Sequence, residues 1–566
     1  MASPVRDKDL VSVQQARALA AAAREAQKTL KEFSQEQVDR IVDAMAAAAK
    51  ADAERLARLA HEETGFGNTK DKTLKNLFAA VDVHQYIRPL RTVGILREDK
   101  ERRVVEIAEP MGVVAAVIPS TNPTSTAIFK ALIAVKSRNA VVMSPHPSAK
   151  NCILETVRVM HGPAVAAGLP KDALSCLTEV SLEGTQELMR CRDTGVILAT
   201  GGIGLVRAAY SSGKPAYGVG PGNVPAYIHQ SADVPKAVRD VIDGKTFDYG
   251  TLCSSEQSIV CDEAIKDQVI AEAKKNGGYF LSDTEAAAVA RVVVTPQRLA
   301  NPEIVGKPAP YIAEKAGVKV PPETRALIAP LAGVGRDFPL SIEKLSPVLA
   351  FYVVKDWHEG CERVLQLLRY GGTGHTMAIH SRDDAVIREF ALKKPVFRIV
   401  ANSQSSMGAT GYTTGLAPSM SLGCGAYAGN ITSDNITPFH LINIKRLAYE
   451  LPRDRRPAAS PGGPVAPAAA AAAPAGDLSR QVAAFVAERV AGRASGPAPA
   501  PPSSPPAAAA PLAPAPPPRP TVDFVAEDDV RRAINEGRTI TLRRGAIVTP
   551  AAKDLAEGKN VLVEER

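Results

Sequence analysis

The chain is poor in aromatic side chains: they make up 5% of its 566 residues and include a single tryptophan. It also has no long run of basic residues, and its net charge of +8 is scattered among acids. Both features exclude an aromatic stacking platform or a basic stripe for nucleic acid. The seven cysteines are odd in number and contain no C-x-x-C pair. That argues against a disulfide framework and a zinc cluster, and fits a reducing cytosol. No apolar run approaches membrane-spanning length. The opening Met1-Ala-Ser-Pro-Val-Arg-Asp-Lys has no apolar signal core. Neither a nucleic acid nor a membrane is therefore expected as a partner.

What is present is enough for a large core: 45% of the residues are hydrophobic and 23% charged. Helical spacing runs from Val11 to about Ala60 and resumes around Leu74, Leu77, Phe78, Val81 and Val83, after a break at Thr64-Gly-Phe-Gly67. Thr92–Glu109 reads as a hairpin with a charged tip. Gly112–Ile118 is a continuous apolar run, hence a buried parallel strand, with Ser120–Thr126 after it and a helix from Ala127 to Lys136. Asn139–Met143 and Gly195–Ala199 are further strands, each followed by a helix. This alternation predicts an α/β sheet with loops gathered at the strands' C-terminal ends. In Thr200-Gly-Gly-Ile-Gly204 the glycines let an anionic ligand approach a helix N-terminus. The same residues equally suit a plain tight turn. A helix from Val234 to Asp243, a turn at Cys253, a helix from Glu263 and more α/β pattern carry the chain to about Leu447.

Composition changes after Arg456. Pro457–Gly476 and Gly496–Pro520 are almost wholly Pro, Ala, Gly and Ser, and cannot bury enough surface to fold. Between them, Asp477–Gly492 predicts a short amphipathic helix with Leu478, Val482, Phe485, Val486 and Val490 on one stripe. Such a helix needs a partner surface. A last small module is expected from helices at Glu527–Gly537 and Pro550–Glu557 and strands at Thr539–Leu542 and Val561–Val563.

The candidate chemistry centres on Phe247-Asp-Tyr-Gly-Thr-Leu-Cys253. A cysteine at a Gly-containing turn can expose its sulfur beside backbone N–H groups, which suit an oxyanion formed when the sulfur attacks a carbonyl. A free cysteine taken alone is more often a small buried hydrophobe.

Ordered motifs decide between these. Val117-Ile-Pro-Ser-Thr-Asn122-Pro, Ala199-Thr-Gly-Gly-Ile-Gly, Ala209–Asn223, the Cys253 turn, Glu343-x-x-x-Pro347 and Gly-Thr-Gly-His375-Thr are colinear with the CoA-acylating aldehyde dehydrogenases, and residues 1 to about 450 resemble that branch. The resemblance implies an α/β, aldehyde dehydrogenase-like architecture. Its Rossmann-type cofactor domain would occupy 1–90 and 111–224, an oligomerisation hairpin 91–110, a catalytic domain 225–425 and a late oligomerisation strand segment 426–456, whose stretch near Leu441–Ile444 would pair with the hairpin across subunits. The linker with its helix at 477–492 would fill 457–522, and the small module 523–566. Cys253 would be the nucleophile and Asn122 a side-chain donor to the hemithioacetal oxygen. His375 would either act near the CoA thiol or be a structural histidine of a Gly-rich loop. Ser144, His146, Thr200, Gly201, Gly202, Gly220 and Glu343 would hold NAD, with Glu343 on the nicotinamide ribose. Hydrolytic members carry a glutamate that activates water, but the matching stretch Gly218-Val-Gly220-Pro-Gly222 has no acid. Water needs such a base, whereas a thiol is already partly ionised near neutral pH. The expected reaction is thus oxidation of a small aldehyde to acyl-CoA with NAD and coenzyme A. A hydrolytic dehydrogenase making the free acid and a catalytically silent cargo scaffold are the alternatives. The tail resembles the encapsulation peptides of bacterial microcompartment cargo. It implies a location in the microcompartment lumen and contact with shell proteins or other cargo, while the family resemblance implies a homo-oligomer, dimer or tetramer.

Overall fold

The computed structural model describes residues 7–452 and, with gaps, 521–564. The chain divides into two units, 1–458 and 459–566. The linkers and the expected helix at 477–492 lie outside the described residues, as does most of the expected helix at 550–557.

The first unit opens with three helices, Lys8–Leu30, Gln35–Ala51 and Ala53–Thr64, of which the second begins on a Ser34/Gln37 capping box. Gly65, in the left-handed region at φ 66°, ends the third, as the Thr64-Gly-Phe-Gly break predicted. These helices cover a five-stranded parallel sheet in the order Leu174–Cys176, Ala140–Pro145, Val113–Ile118, Thr194–Thr200, Ala216–Val219. The central strand is buried at every residue, so its run of apolar side chains meets helices on both faces. The next helix starts at Pro123 and not at Ala127. Proline needs no N–H at the first helical position and its fixed φ suits it, so Asn122 stands at the position before the helix, its side chain making no capping bond.

A second parallel sheet has seven strands, ordered Gly278–Phe280, Ala326–Pro330, Val348–Val354, Glu256–Asp262, Val224–Ile228, Gly374–His380, Val396–Ala401. The polar run after Cys253 enters its centre, and Glu256, Gln257 and Ser258 are buried there. Two of them are partnered: Glu256 accepts the Ser405 N–H, and Gln257 Oε1 accepts from Lys245 Nζ at 2.9 Å and the Lys344 N–H at 3.1 Å. The helix expected from Glu263 begins at Lys266, after one 3-10 turn.

The hairpin Ile95–Asp99/Val104–Pro110 forms as expected. The late segment was expected to pair with it across subunits. It instead pairs within the same chain: Ile442–Ala448 runs antiparallel to Val104–Pro110 in unbroken register, with Lys445–Glu109 and Arg446–Glu106 ion pairs across the ladder.

In the second unit, the strands Thr521–Val525, Ile540–Val548 and Leu562–Glu564 form a parallel sheet with the helix Glu527–Asn535. Val525, Val530, Ala533, Ile540 and Leu542 are in its core. The first of these strands was not anticipated.

Candidate active site

A cavity of about 480 Å³ opens at the C-terminal ends of the five-stranded sheet. Val117–Asn122, Pro145–Pro147, Thr200–Gly202 and Val219–Pro221 form one wall, and Thr251, Cys253, Glu343 and Leu345 form the other. Loops at strand C-termini are where open α/β sheets bind ligands. Of the residues singled out above, Cys253, Asn122, His146, Thr200, Gly201, Gly202, Gly220 and Glu343 share this cavity. Ser144 does not reach it. It is fully buried, and its hydroxyl meets that of Thr185, which does line the wall, at 2.8 Å. His375 stands behind Cys253.

The turn carrying Cys253 is unusual backbone. Asp248 (φ 47°), Tyr249 (φ 52°) and Gly250 (φ 78°) are all left-handed. The first two have side chains, so the conformation costs free energy and persists only where surroundings impose it. Asp248 supplies them: its N–H donates to Asp71 Oδ2 at 2.7 Å, and its buried carboxylate takes the Asn68 N–H at 2.8 Å. Gly67 lies so close that a Cβ there would stand 1.8 Å from Asp248 Oδ1.

His375 Nε2 lies 3.2 Å from Cys253 Sγ, and its Nδ1 meets Thr376 Oγ1 at 2.9 Å. Burial, with Glu343 and Cys424 nearby, pushes the Cys253 thiol up to about 12, against a smaller opposing pull from Arg398. Burial thus favours the thiol over the thiolate in the resting site. Burial also holds His375 down at about 3, with Arg398 adding to the effect. A neutral imidazole whose Nδ1–H donates to Thr376 presents the Nε2 lone pair to the thiol proton. Gly222 permits this contact, since a Cβ there would come within 2.4 Å of the Cys253 carbonyl and 3.0 Å of the His375 ring.

Asn122 Nδ2 donates to Thr121 Oγ1 at 3.1 Å and reaches the Thr251 carbonyl at 3.4 Å, which sets the amide against the backbone two residues before Cys253. Glu343 is the one carboxylate on the cavity wall among the described residues, and its Oε1 accepts the Gly222 N–H at 2.9 Å. Burial raises it to about 7.

The walls suit a dinucleotide. Thr200 Oγ1 is buried without a protein partner, and open space stands over the Cα atoms of Gly202 and Gly220. Gly202 also begins the helix Ile203–Tyr210, whose free N–H groups favour a phosphate.

Sequence reasoning missed Lys72, Lys75 and Asp248, which form a buried cluster behind Asn122. The two lysines stand three apart in a helical segment whose pattern was read only from its apolar residues, so nothing local singled them out.

Residues 3–277 match the model of the aldehyde dehydrogenase family. The bifunctional aldehyde-alcohol dehydrogenase of Escherichia coli (strain K12) is 43% identical over 444 residues, covering 78% of this chain and 50% of that protein. The chain thus spans about half the length of the bifunctional relatives it matches. The succinate-semialdehyde dehydrogenase (acetylating) of Clostridium kluyveri is 39% identical over 427 residues, 75% of this chain and 94% of that one. Among solved structures, an acetylating aldehyde dehydrogenase from Geobacillus thermoglucosidasius is 54% identical with a TM-score of 0.78, over 79% of this chain and 99% of its own. A propionaldehyde dehydrogenase from the fucose utilisation microcompartment of Clostridium phytofermentans is 28% identical, TM-score 0.69, over 76% and 96%. A Rhodopseudomonas palustris propionaldehyde dehydrogenase with bound CoA and an acylated cysteine is 25% identical, TM-score 0.70, over 77% and 97%. The chain belongs to the aldehyde dehydrogenase family.

Proposed function

We propose that this protein oxidises a small aldehyde to the corresponding acyl-CoA, with NAD as hydride acceptor and coenzyme A as acyl acceptor. The observation that carries this is a cavity holding Cys253 against His375, with no acid in Gly218–Gly222 and with its one described carboxylate tied to the Gly222 N–H. In this reading His375 Nε2 takes the Cys253 proton as the sulfur attacks the aldehyde carbon. The resulting oxyanion sits between Asn122 Nδ2 and the Cys253 N–H, where fixed donors stabilise it with no reorganisation. NAD, when bound, accepts hydride. Thr200, the N–H groups after Gly202, and Glu343 would hold it. Loss of hydride leaves a thioester on Cys253. Among the described residues no carboxylate but Glu343 lines the cavity, and Glu343 is tied to the Gly222 N–H; in this reading the thiol of CoA displaces Cys253, its proton leaves to solvent, and Cys253 takes back the proton held on His375.

The test is NADH formation from aldehyde with and without CoA. CoA-dependent turnover is expected, with Cys253→Ala inactive yet still binding NAD. Full turnover without CoA would instead establish the hydrolytic alternative. No NADH formation from a panel of small aldehydes, with or without CoA, would favour a silent scaffold.

The tail reads as an address. Pro/Ala linkers flank an amphipathic pattern at 477–492, and one structural neighbour comes from a microcompartment. A cytoplasmic microcompartment lumen, with contact to shell proteins or other cargo, is the corresponding location. A homo-oligomer, dimer or tetramer, is supported by the apolar Ile95 and Leu447, which stay exposed on the outer strands of the hairpin sheet.

A further inference from the structure

We infer that Lys75 is a positioning residue: from behind Asn122 it fixes which end of that amide faces the reacting oxygen. Through Asp248, the same cluster is bonded to Thr251, whose carbonyl the Asn122 amide faces. This inference rests on the oxyanion role proposed for Asn122.

Lys75 is almost fully buried, and its Nζ donates to Asn122 Oδ1 at 2.6 Å. An ammonium group only donates, so the amide oxygen must face it and the amide NH2 must face the other way. That other side is the Thr251 carbonyl and the cavity wall. With an apolar neighbour in place of Lys75 the amide would lose the short charged bond that fixes its oxygen and keep only the longer bonds of Nδ2 to Thr121 Oγ1 and the Thr251 carbonyl, so turned amides, whose oxygen repels an oxyanion, would become more populated.

Asp248 links this amide to the nucleophile. One carboxylate oxygen, Oδ2, receives Lys75 Nζ in an ion pair, Lys72 Nζ at 3.0 Å and Thr251 Oγ1 at 2.6 Å. Lys72 Nζ also reaches the Thr121 carbonyl at 3.2 Å. Both residues of the Thr121-Asn122 pair and the residue two before Cys253 are therefore tied to one buried anion. Lys72 and Lys75 converge on one carboxylate oxygen, with the Asp71 carboxylate behind it on the Asp248 N–H, so the cluster holds fixed charges next to the site where negative charge develops. Packing alone does not call for it, because a buried ionic cluster is often no more stable than apolar side chains of the same volume. A preorganised, dry set of charges does serve transition-state stabilisation.

The test is a double-mutant cycle in the full-length protein, read as kcat for NADH formation, with the rate of Cys253 alkylation by iodoacetamide as a second readout. Alkylation builds no oxyanion, so it reports the nucleophile alone. Asn122→Ala is expected to lower kcat by roughly 10²–10³-fold, the loss usual for one oxyanion donor. Lys75→Met is expected to lower kcat by at least about tenfold while alkylation stays near wild type. Lys75→Gln, which keeps a neutral N–H toward Asn122, should retain more activity than Lys75→Met, and it carries the cycle if the methionine variant does not fold. In the Asn122→Ala background, either Lys75 change should add no loss beyond about twofold. Full additivity, or a Lys75 variant with wild-type kcat, overturns the inference and leaves the role of Asn122 standing. A wild-type kcat in Asn122→Ala overturns both.

Discussion

His375 Nε2 is 3.2 Å from Cys253 Sγ although the two residues lie 122 positions apart, and the imidazole is fully buried. The pair is neutral at rest, because burial raises the thiol to about 12 and lowers the imidazole to about 3. A raised acid pKa disfavours the thiolate. The alkylation rate of the resting enzyme should therefore keep climbing with pH through and above about 8.5, the ordinary thiol value. No inflection is expected near 6.5, since His375 is already neutral there. His375→Ala should slow the chemical step by roughly 10²–10⁴-fold, the usual worth of a general base, with little change in NAD binding. A plateau in alkylation below pH 9 would contradict the burial argument.

Gly222→Ala should damage the same pair by another route. The added methyl would meet the Cys253 carbonyl at 2.4 Å, and backbone cannot swing aside as a flexible side chain can. Alkylation rate and kcat should fall together, and thermal unfolding should move to lower temperature. Unchanged alkylation would mean that the turn relaxes without moving Cys253.

Gly220→Glu adds an acid to the stretch that lacks one. The space over Gly220 is open and its φ is not in the left-handed region, so a side chain is accommodated. NADH formation without CoA should rise at least about tenfold, since water gains a base near the thioester. The check is turnover with and without CoA, together with assay of the free acid. No gain would show that the carboxylate does not reach the thioester.

NAD should be preferred over NADP. The wall at Pro145-His146-Pro147 offers no guanidinium to a 2′-phosphate. The ratio of kcat/KM for the two cofactors measures this, and a large ratio in favour of NADP would reverse the assignment.

Removing 459–566 should leave specific activity unchanged, because the first unit holds the five-stranded and seven-stranded sheets and the whole cavity. Co-purification with microcompartment shells should be lost. If the truncated enzyme remains encapsulated, the address lies elsewhere. If it loses activity, the tail belongs to the enzyme.

The sequence alone determined the order of elements and most of the cavity wall. The buried run at Gly112–Ile118, the Gly201–Gly204 turn and the acid-free Gly218–Gly222 stretch are local signals. They follow from backbone conformation and from periodic burial within a few residues. The tertiary structure decided three other things. It paired Ile442–Ala448 with Val104–Pro110 inside one chain, where pairing across subunits was expected. It gathered Lys72, Lys75 and Asp248 behind Asn122, though Lys72 and Asp248 are 176 residues apart. It also made Cys253 a thiol and His375 a neutral imidazole. Ionisation depends on how much water is removed from a group and which distant charges are brought beside it. Neither quantity is written in the residues that flank it.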